Sequence, residues 1–158
     1  MSNHETGNAV KRMAEFTALL FYHLTKAMIE EYGDDAKKVI KKAIREFGLE
    51  RGRNIAQRVL EAGEELTIAN LDKYYDMPIS QGWGPSAEYQ EEIKKSKTDS
   101  CTFADVWIRK SWESIGHIYC EVDPAIREGY NSDIEYTPDK NILLGDSFCS
   151  SVTQYKNK

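Results

Sequence analysis

Five residues in the last third of the 158-residue chain have side chains that could act on a small electrophile: His117, Cys120, Asp123, Asp146 and Cys149. His117 and Cys120 are three apart, which places them on one face of a helix, and Asp123 follows three later. Gly145-Asp146-Ser147-Phe148-Cys149 brings a carboxylate and a thiol together at the start of a strand. A thiolate is a strong nucleophile when a base or a positive field lowers its pKa. A histidine supplies such a base, and a carboxylate orients the histidine. A thiol attacking in this way is expected to reach a pocket and to ionise below the ordinary value of about 8.5.

Each residue also has a plainer reading. Asp123 before Pro124 reads as an N-cap followed by proline at the first helical position, and Asp146 after glycine reads as a turn residue. Cys120 and Cys149 suit small buried apolar positions, and His117 suits a buried hydrogen bond. The set His117, Cys120, Asp123 and Cys149 also has ligand types that suit zinc. It lacks the paired spacing of known zinc sites, so zinc is the weaker alternative and no metal ligand is assigned.

These residues must be positioned by the elements before and around them. A first helix is expected from about Ala9 to Tyr32, with Met13, Phe16, Leu20, Leu24 and Ala27 as its buried face. A second helical stretch runs from about Asp35 to Ala62. Gly48, Gly52 and Ala56, four apart, form a smooth strip on it. Two interior glycines cost roughly 1 kcal/mol each relative to alanine, so close packing, a ligand or a break at Gly48 should compensate.

Residues 63–100 carry weak signals. Met77 to Pro85 has loop chemistry, and Trp83 within it is either a pocket lid or a surface-packed ring. Glu88 to Lys97 reads as a short helix or turn. Cys101 to Ile108 reads as a strand, with Phe103, Asp105 and Trp107 on one side. A helix over Ser111–Glu121 follows, then a short one ending at Gly129, then strands at Ile134–Tyr136 and Phe148–Tyr155. Helices first and strands mixed with helices later predict an α+β fold. Long N-terminal helices pack on a small antiparallel sheet with short C-terminal helices. One domain over 1–158 is expected, with disordered ends at 1–8 and 156–158.

A net charge of −5 without a basic stripe argues against nucleic acid or an anionic membrane as partner. The N-terminus does not read as a secretory signal, and its longest apolar run is far too short to span a bilayer. Three cysteines without CxxC spacing predict reduced thiols and a cytoplasmic protein.

Three motifs carry a resemblance. Phe47-Gly48-x-x-Arg51-Gly52-x-x-Ile55-Ala56, Ile118-Tyr119-Cys120-x-x-Asp123 and Leu144-Gly145-Asp146-x-x-Cys149 resemble those of the L-2-amino-thiazoline-4-carboxylic acid hydrolase family, in order over residues 47–149. The resemblance implies a bacterial enzyme that hydrolyses a cyclic amidine-like ring at a C–N bond to a carbamoyl-cysteine. It implies Cys149 as nucleophile and His117 as base or acid. Asp123 and Asp146 would orient that base or hold the amidine. Arg51, Cys120 and Trp83 would contact substrate, Arg51 through its carboxylate, although a structural salt bridge explains Arg51 equally well. No cofactor is implied. The expected partner is a small heterocyclic substrate, with a homo-oligomer allowed. In architecture the chain is also similar to ligand-binding domains of the 4-vinyl-reductase type, which makes a non-enzymatic small-molecule sensor the alternative.

Overall fold

The computed structural model describes residues 3–78 and 82–156, with side chains from residue 9. The expected disorder at residues 1–2 and 157–158, and the central part of the Met77–Pro85 loop, lie outside the described residues. Among the described residues, six helices and four strands follow in the order α1 (Asn3–Tyr32), α2 (Asp35–Glu61), α3 (Ile68–Lys73), β1 (Trp83–Gln90), β2 (Ile93–Cys101), α4 (Thr102–Arg109), α5 (Glu113–Tyr119), α6 (Val122–Tyr130), β3 (Ile134–Lys140) and β4 (Cys149–Tyr155). The strands form one antiparallel sheet in the order β1-β2-β4-β3. The fold is α+β, as expected.

Helix α1 buries a different face from the one its large side chains mark. Met13, Phe16, Leu20 and Leu24 are more than half exposed or at that limit, at 63, 64, 50 and 57%. Ala14, Ala18 and Thr25 are buried instead, with Phe21 beside them. Both stripes have helical spacing, so periodicity could not rank them. The small residues win because they let α4 approach: Trp107 on α4 donates its indole N–H to the Ala18 carbonyl at 3.0 Å.

Helix α2 is unbroken through Gly48 and Gly52, and these glycines are where α6 crosses it. A Cβ on Gly48 would lie 2.6 Å from the Ala125 Cβ. One on Gly52 would meet the Ile126 carbonyl and the backbone of Gly129 and Tyr130, and one on Gly129 would meet the backbone of Leu49. The glycine strip is therefore a close helix crossing, and its packing offsets the helix-propensity cost. Around it lies one core cluster, including Ile55, Val59, Ile126 and Ile134; a second joins α1 to α4 through Ala18, Phe103 and Trp107.

Three segments differ from their sequence reading. Glu88–Lys97 belongs to the β1–β2 hairpin. Residues 102–109 form helix α4, not a strand; Phe103 and Trp107, four apart, share its buried face while Asp105 is exposed. The β-branched and aromatic composition imitates a strand, but Cys101 Sγ accepts the Ala104 N–H and starts a helix. Helix α6 starts at Val122, one residue before Asp123. Asp123 is thus a first-turn residue and not the N-cap. Pro124 is the third helical residue, still within the turn whose N–H groups need no helical partner.

Candidate functional site

A cavity of about 820 Å³ lies between the inner face of the sheet and helices α4, α5 and α6. The sheet contributes Lys94, Ser96 and Thr98 from β2, Tyr136 from β3 and Cys149 and Ser151 from β4. This inner face is polar because it lines a cavity and does not pack a core. The helices supply the aromatic wall. Phe103, Trp107 and Tyr119 contact one another in tilted or edge-on pairs at 5.2–5.6 Å, and Trp83 stands edge-on to Phe103 at 5.1 Å. Trp83 opens β1 and lines the cavity, which fits the lid reading better than surface packing.

His117, Cys120, Asp123 and Cys149 all line this cavity. Helix α5 carries His117, Cys120 caps its C-terminus, and α6 carries Asp123 in its first turn. Cys149 is the first residue of β4. The fifth expected residue, Asp146, is not among the lining residues; its carboxylate accepts the Asn141 N–H at 2.8 Å and fixes the turn before β4. Gly145 in that turn has φ +99°, a conformation that glycine adopts without strain.

Asn141 is a residue the sequence reading missed. Its Oδ1 accepts the Leu143 N–H at 2.9 Å, capping a 3-10 turn over Ile142–Leu144, and its Nδ2 donates to Cys120 Sγ at 3.5 Å. The same turn aims the Ile142 N–H at Cys149 Sγ, 3.4 Å away. One short turn therefore contacts both thiols. Its signal was an asparagine directly before an apolar triplet and a Gly-Asp pair.

Electrostatically the thiols are quiet. Burial pushes the Cys149 thiol up; the Ile142 N–H opposes this, and the charges of Asp123 and Asp146 add to it. Burial takes Cys120 to about 12 against the opposing Asn141 contact. Cys101, also lining the cavity, is raised by burial too. The direction is opposite to the lowered pKa expected of an activated nucleophile, because no cation accompanies the thiols into their apolar surroundings.

The cations lie elsewhere on the wall. Arg51, Lys94 and Arg127 are each over 90% buried and all line the cavity. Arg51 Nε and Nη2 donate to the two oxygens of Asp76 at 2.8 and 2.5 Å, so its fork is filled by a protein carboxylate. Lys94 Nζ donates to Asp72 at 2.5 Å. Arg127 Nη1 donates to the carbonyl and the carboxylate of Asp123 at 3.0 and 3.1 Å, and its guanidinium lies 4.6 Å from the Tyr136 ring centroid. Among the described residues, no three His, Cys, Asp or Glu side chains come together closely enough to hold a metal ion. None of the described helices is long and apolar enough to cross a membrane.

Residues 12–151 match the family described as L-2-amino-thiazoline-4-carboxylic acid hydrolase. No curated protein matches the chain. Among the solved structures that share the fold are the following two. One is a trafficking protein particle complex subunit 3 from Naegleria fowleri, covalently bound to palmitic acid: TM-score 0.56, 16% identity, 93% of this chain and 97% of that one. The other is the phenol-responsive sensory domain of the transcription activator PoxR with phenol: TM-score 0.55, 12% identity, 88% of this chain and 74% of that one.

Proposed function

The chain belongs to the L-2-amino-thiazoline-4-carboxylic acid hydrolase family, and from that premise we propose that it opens a small cyclic amidine at a C–N bond with Cys149 as nucleophile and without a metal. The observation that carries this reading is the convergence on one cavity of two chain segments, residues 117–123 with His117, Cys120 and Asp123, and the start of β4 with Cys149. The substrate is a 2-aminothiazoline-4-carboxylate or a close analogue. Its ring carbon C2 is bonded to sulfur and two nitrogens, and is electrophilic when the amidine is protonated.

The Cys149 thiol gives its proton to His117 and its sulfur bonds to C2. The C2–N ring bond breaks, and His117 returns the proton to the departing nitrogen, which becomes an amine. Water then adds to C2 and Cys149 leaves, so that the former ring carbon becomes a carbamoyl group on the substrate sulfur. The raised pKa of Cys149 fits a thiol that is protonated at rest. The amidinium charge of the substrate, facing Asp123, supplies the field that favours ionisation. Asp146 supports the turn behind Cys149, and Cys120 and Trp83 shape the pocket.

The test is turnover of 2-aminothiazoline-4-carboxylate by wild type and by Cys149→Ser. Serine is close in volume and a far weaker nucleophile, so the variant should retain binding and lose turnover. Full activity in Cys149→Ser, or about one equivalent of zinc by elemental analysis with loss of activity on chelation, would replace the nucleophile by water or metal chemistry.

A second reading, binding without turnover, is favoured by the thiols' upward shifts and by the aromatic wall. The similar PoxR domain is described with phenol, a flat ring. Tight binding of the thiazoline with no product over long incubation would select it.

A further inference from the structure

Arg51, Lys94 and Arg127 place three positive charges on the wall of one cavity, and the protein answers them unequally. Asp76 fills the Nε–Nη2 edge of Arg51 with two hydrogen bonds. Asp72 takes the Lys94 ammonium. Arg127 is held by Asp123 through Nη1 alone, while its Nε, fully buried, has no hydrogen-bond partner. A buried donor on a charged group is costly to leave unmade, and the edge concerned is the one whose geometry matches a carboxylate. The guanidinium has little freedom to turn away, since it stacks on Tyr136 and is tied at Asp123.

We propose that Arg127 is the carboxylate receptor of the cavity: a ligand carboxylate docks on its guanidinium, with a small shift that brings the now covered Nε into contact, while the ring of the ligand lies toward the aromatic wall of Phe103, Trp107 and Tyr119. The cavity is then selective for planar ring acids over their neutral counterparts. Arg51, with its fork already closed by Asp76, positions the α2 wall and leaves the ligand carboxylate to Arg127. Asp123 keeps the receptor oriented and, lining the same cavity, leaves its carboxylate near the cationic end of an amphoteric ligand. For the thiazoline carboxylate this assignment rests on the hydrolase reading; for the class of ring acids it stands without it.

Two ring pairs separate the proposals in calorimetric binding experiments: 2-aminothiazoline-4-carboxylate against its carboxamide, and benzoate against benzamide. The wild type should bind each acid at least tenfold more tightly than its amide. Arg127→Gln should abolish that preference, and Arg127→Lys, which keeps the charge and lacks Nε, should recover only part of it. Each variant is first checked by thermal melting. Should neither variant fold, the wild-type acid-to-amide ratios decide alone. Equal binding of acid and amide in both pairs, absence of binding by both acids, or an unchanged preference in a folded Arg127→Gln would overturn the assignment. A benzoate preference that needs Arg127, with no binding of the thiazoline acid, would keep the receptor and overturn the hydrolase reading. Loss of turnover in Cys149→Ser with an acid preference indifferent to Arg127 would do the reverse.

Discussion

Arg51 on α2 and Asp76, just beyond α3, meet through two parallel hydrogen bonds at 2.8 and 2.5 Å, with side chains only 10 and 16% exposed. The guanidinium also lies 5.5 Å from the Phe47 ring centroid and 5.6 Å from that of Tyr75. The pair ties the segment after α3 to the long helix, beside the cavity that Arg51 lines.

Asp76→Asn should therefore destabilise the fold strongly. It leaves a buried guanidinium without a counter-charge, a loss of about 3–5 kcal/mol for a broken buried pair. Replacing both partners with apolar residues of similar volume should recover most of that loss. Urea unfolding of the single and double variants is the check. A single variant as stable as wild type would mean that Arg51 finds another partner or moves to solvent.

Gly52→Leu should cost about 3 kcal/mol or more, at or above the upper end of overpacking, because the new side chain would press on α6 backbone and not on a flexible side chain. Ligand affinity should fall together with melting temperature, since α6 carries Asp123 and Arg127. Gly33→Ala, at a position with open space but φ +62°, should cost less and leave ligand affinity alone. An unchanged melting temperature in Gly52→Leu would contradict the helix crossing.

The buried thiols give the protein an alkaline weakness. The pKa of Cys120 is raised to about 12 in the folded state, while in the unfolded chain it ionises near the ordinary thiol value. Above that value the unfolded state binds fewer protons than the native one, so stability falls as pH rises and goes on falling until about pH 12. Below it the contribution is fully present. Cys120→Ala should flatten this part of a stability-against-pH curve. Alkylation of Cys149 by iodoacetamide should likewise be slow at neutral pH and accelerate only above the usual thiol range. Fast alkylation of Cys149 at pH 7 would show that its thiol is activated at rest.

The parts of the fold legible in the sequence are those whose outside and inside differ in polarity. Helices α2 and α5 and strand β4 were expected close to their observed bounds, and so was the turn at Gly145-Asp146. The β1–β2 hairpin was not, because the inward residues of β2 are Lys94, Ser96 and Thr98; a strand that faces a cavity shows no apolar alternation. The buried face of α1 was misassigned since Ala14 and Ala18 carry less hydrophobic weight than Met13 and Phe16 yet allow the closer approach. In the site, residue types and motif order were enough to single out Cys149, Cys120, His117 and Asp123. Arg127 and Asn141 were not singled out. Nothing in a local pattern tells which arginine will be buried without a full set of partners, or which asparagine will reach a thiol 21 positions away.

The crossing of α2 and α6 also bears on how the chain reaches its native state. Gly129 packs against the backbone of Leu49, eighty positions earlier (129 − 49), and the whole β1–β2 hairpin lies between them. The two long helices need only local contacts and should form early. The wall that carries Asp123 and Arg127 must wait for that long loop to close, an entropic cost met before any contact at the crossing repays it. Refolding should thus pass through a stage rich in helix that has no cavity, and competence to bind a ligand should return later than far-ultraviolet ellipticity.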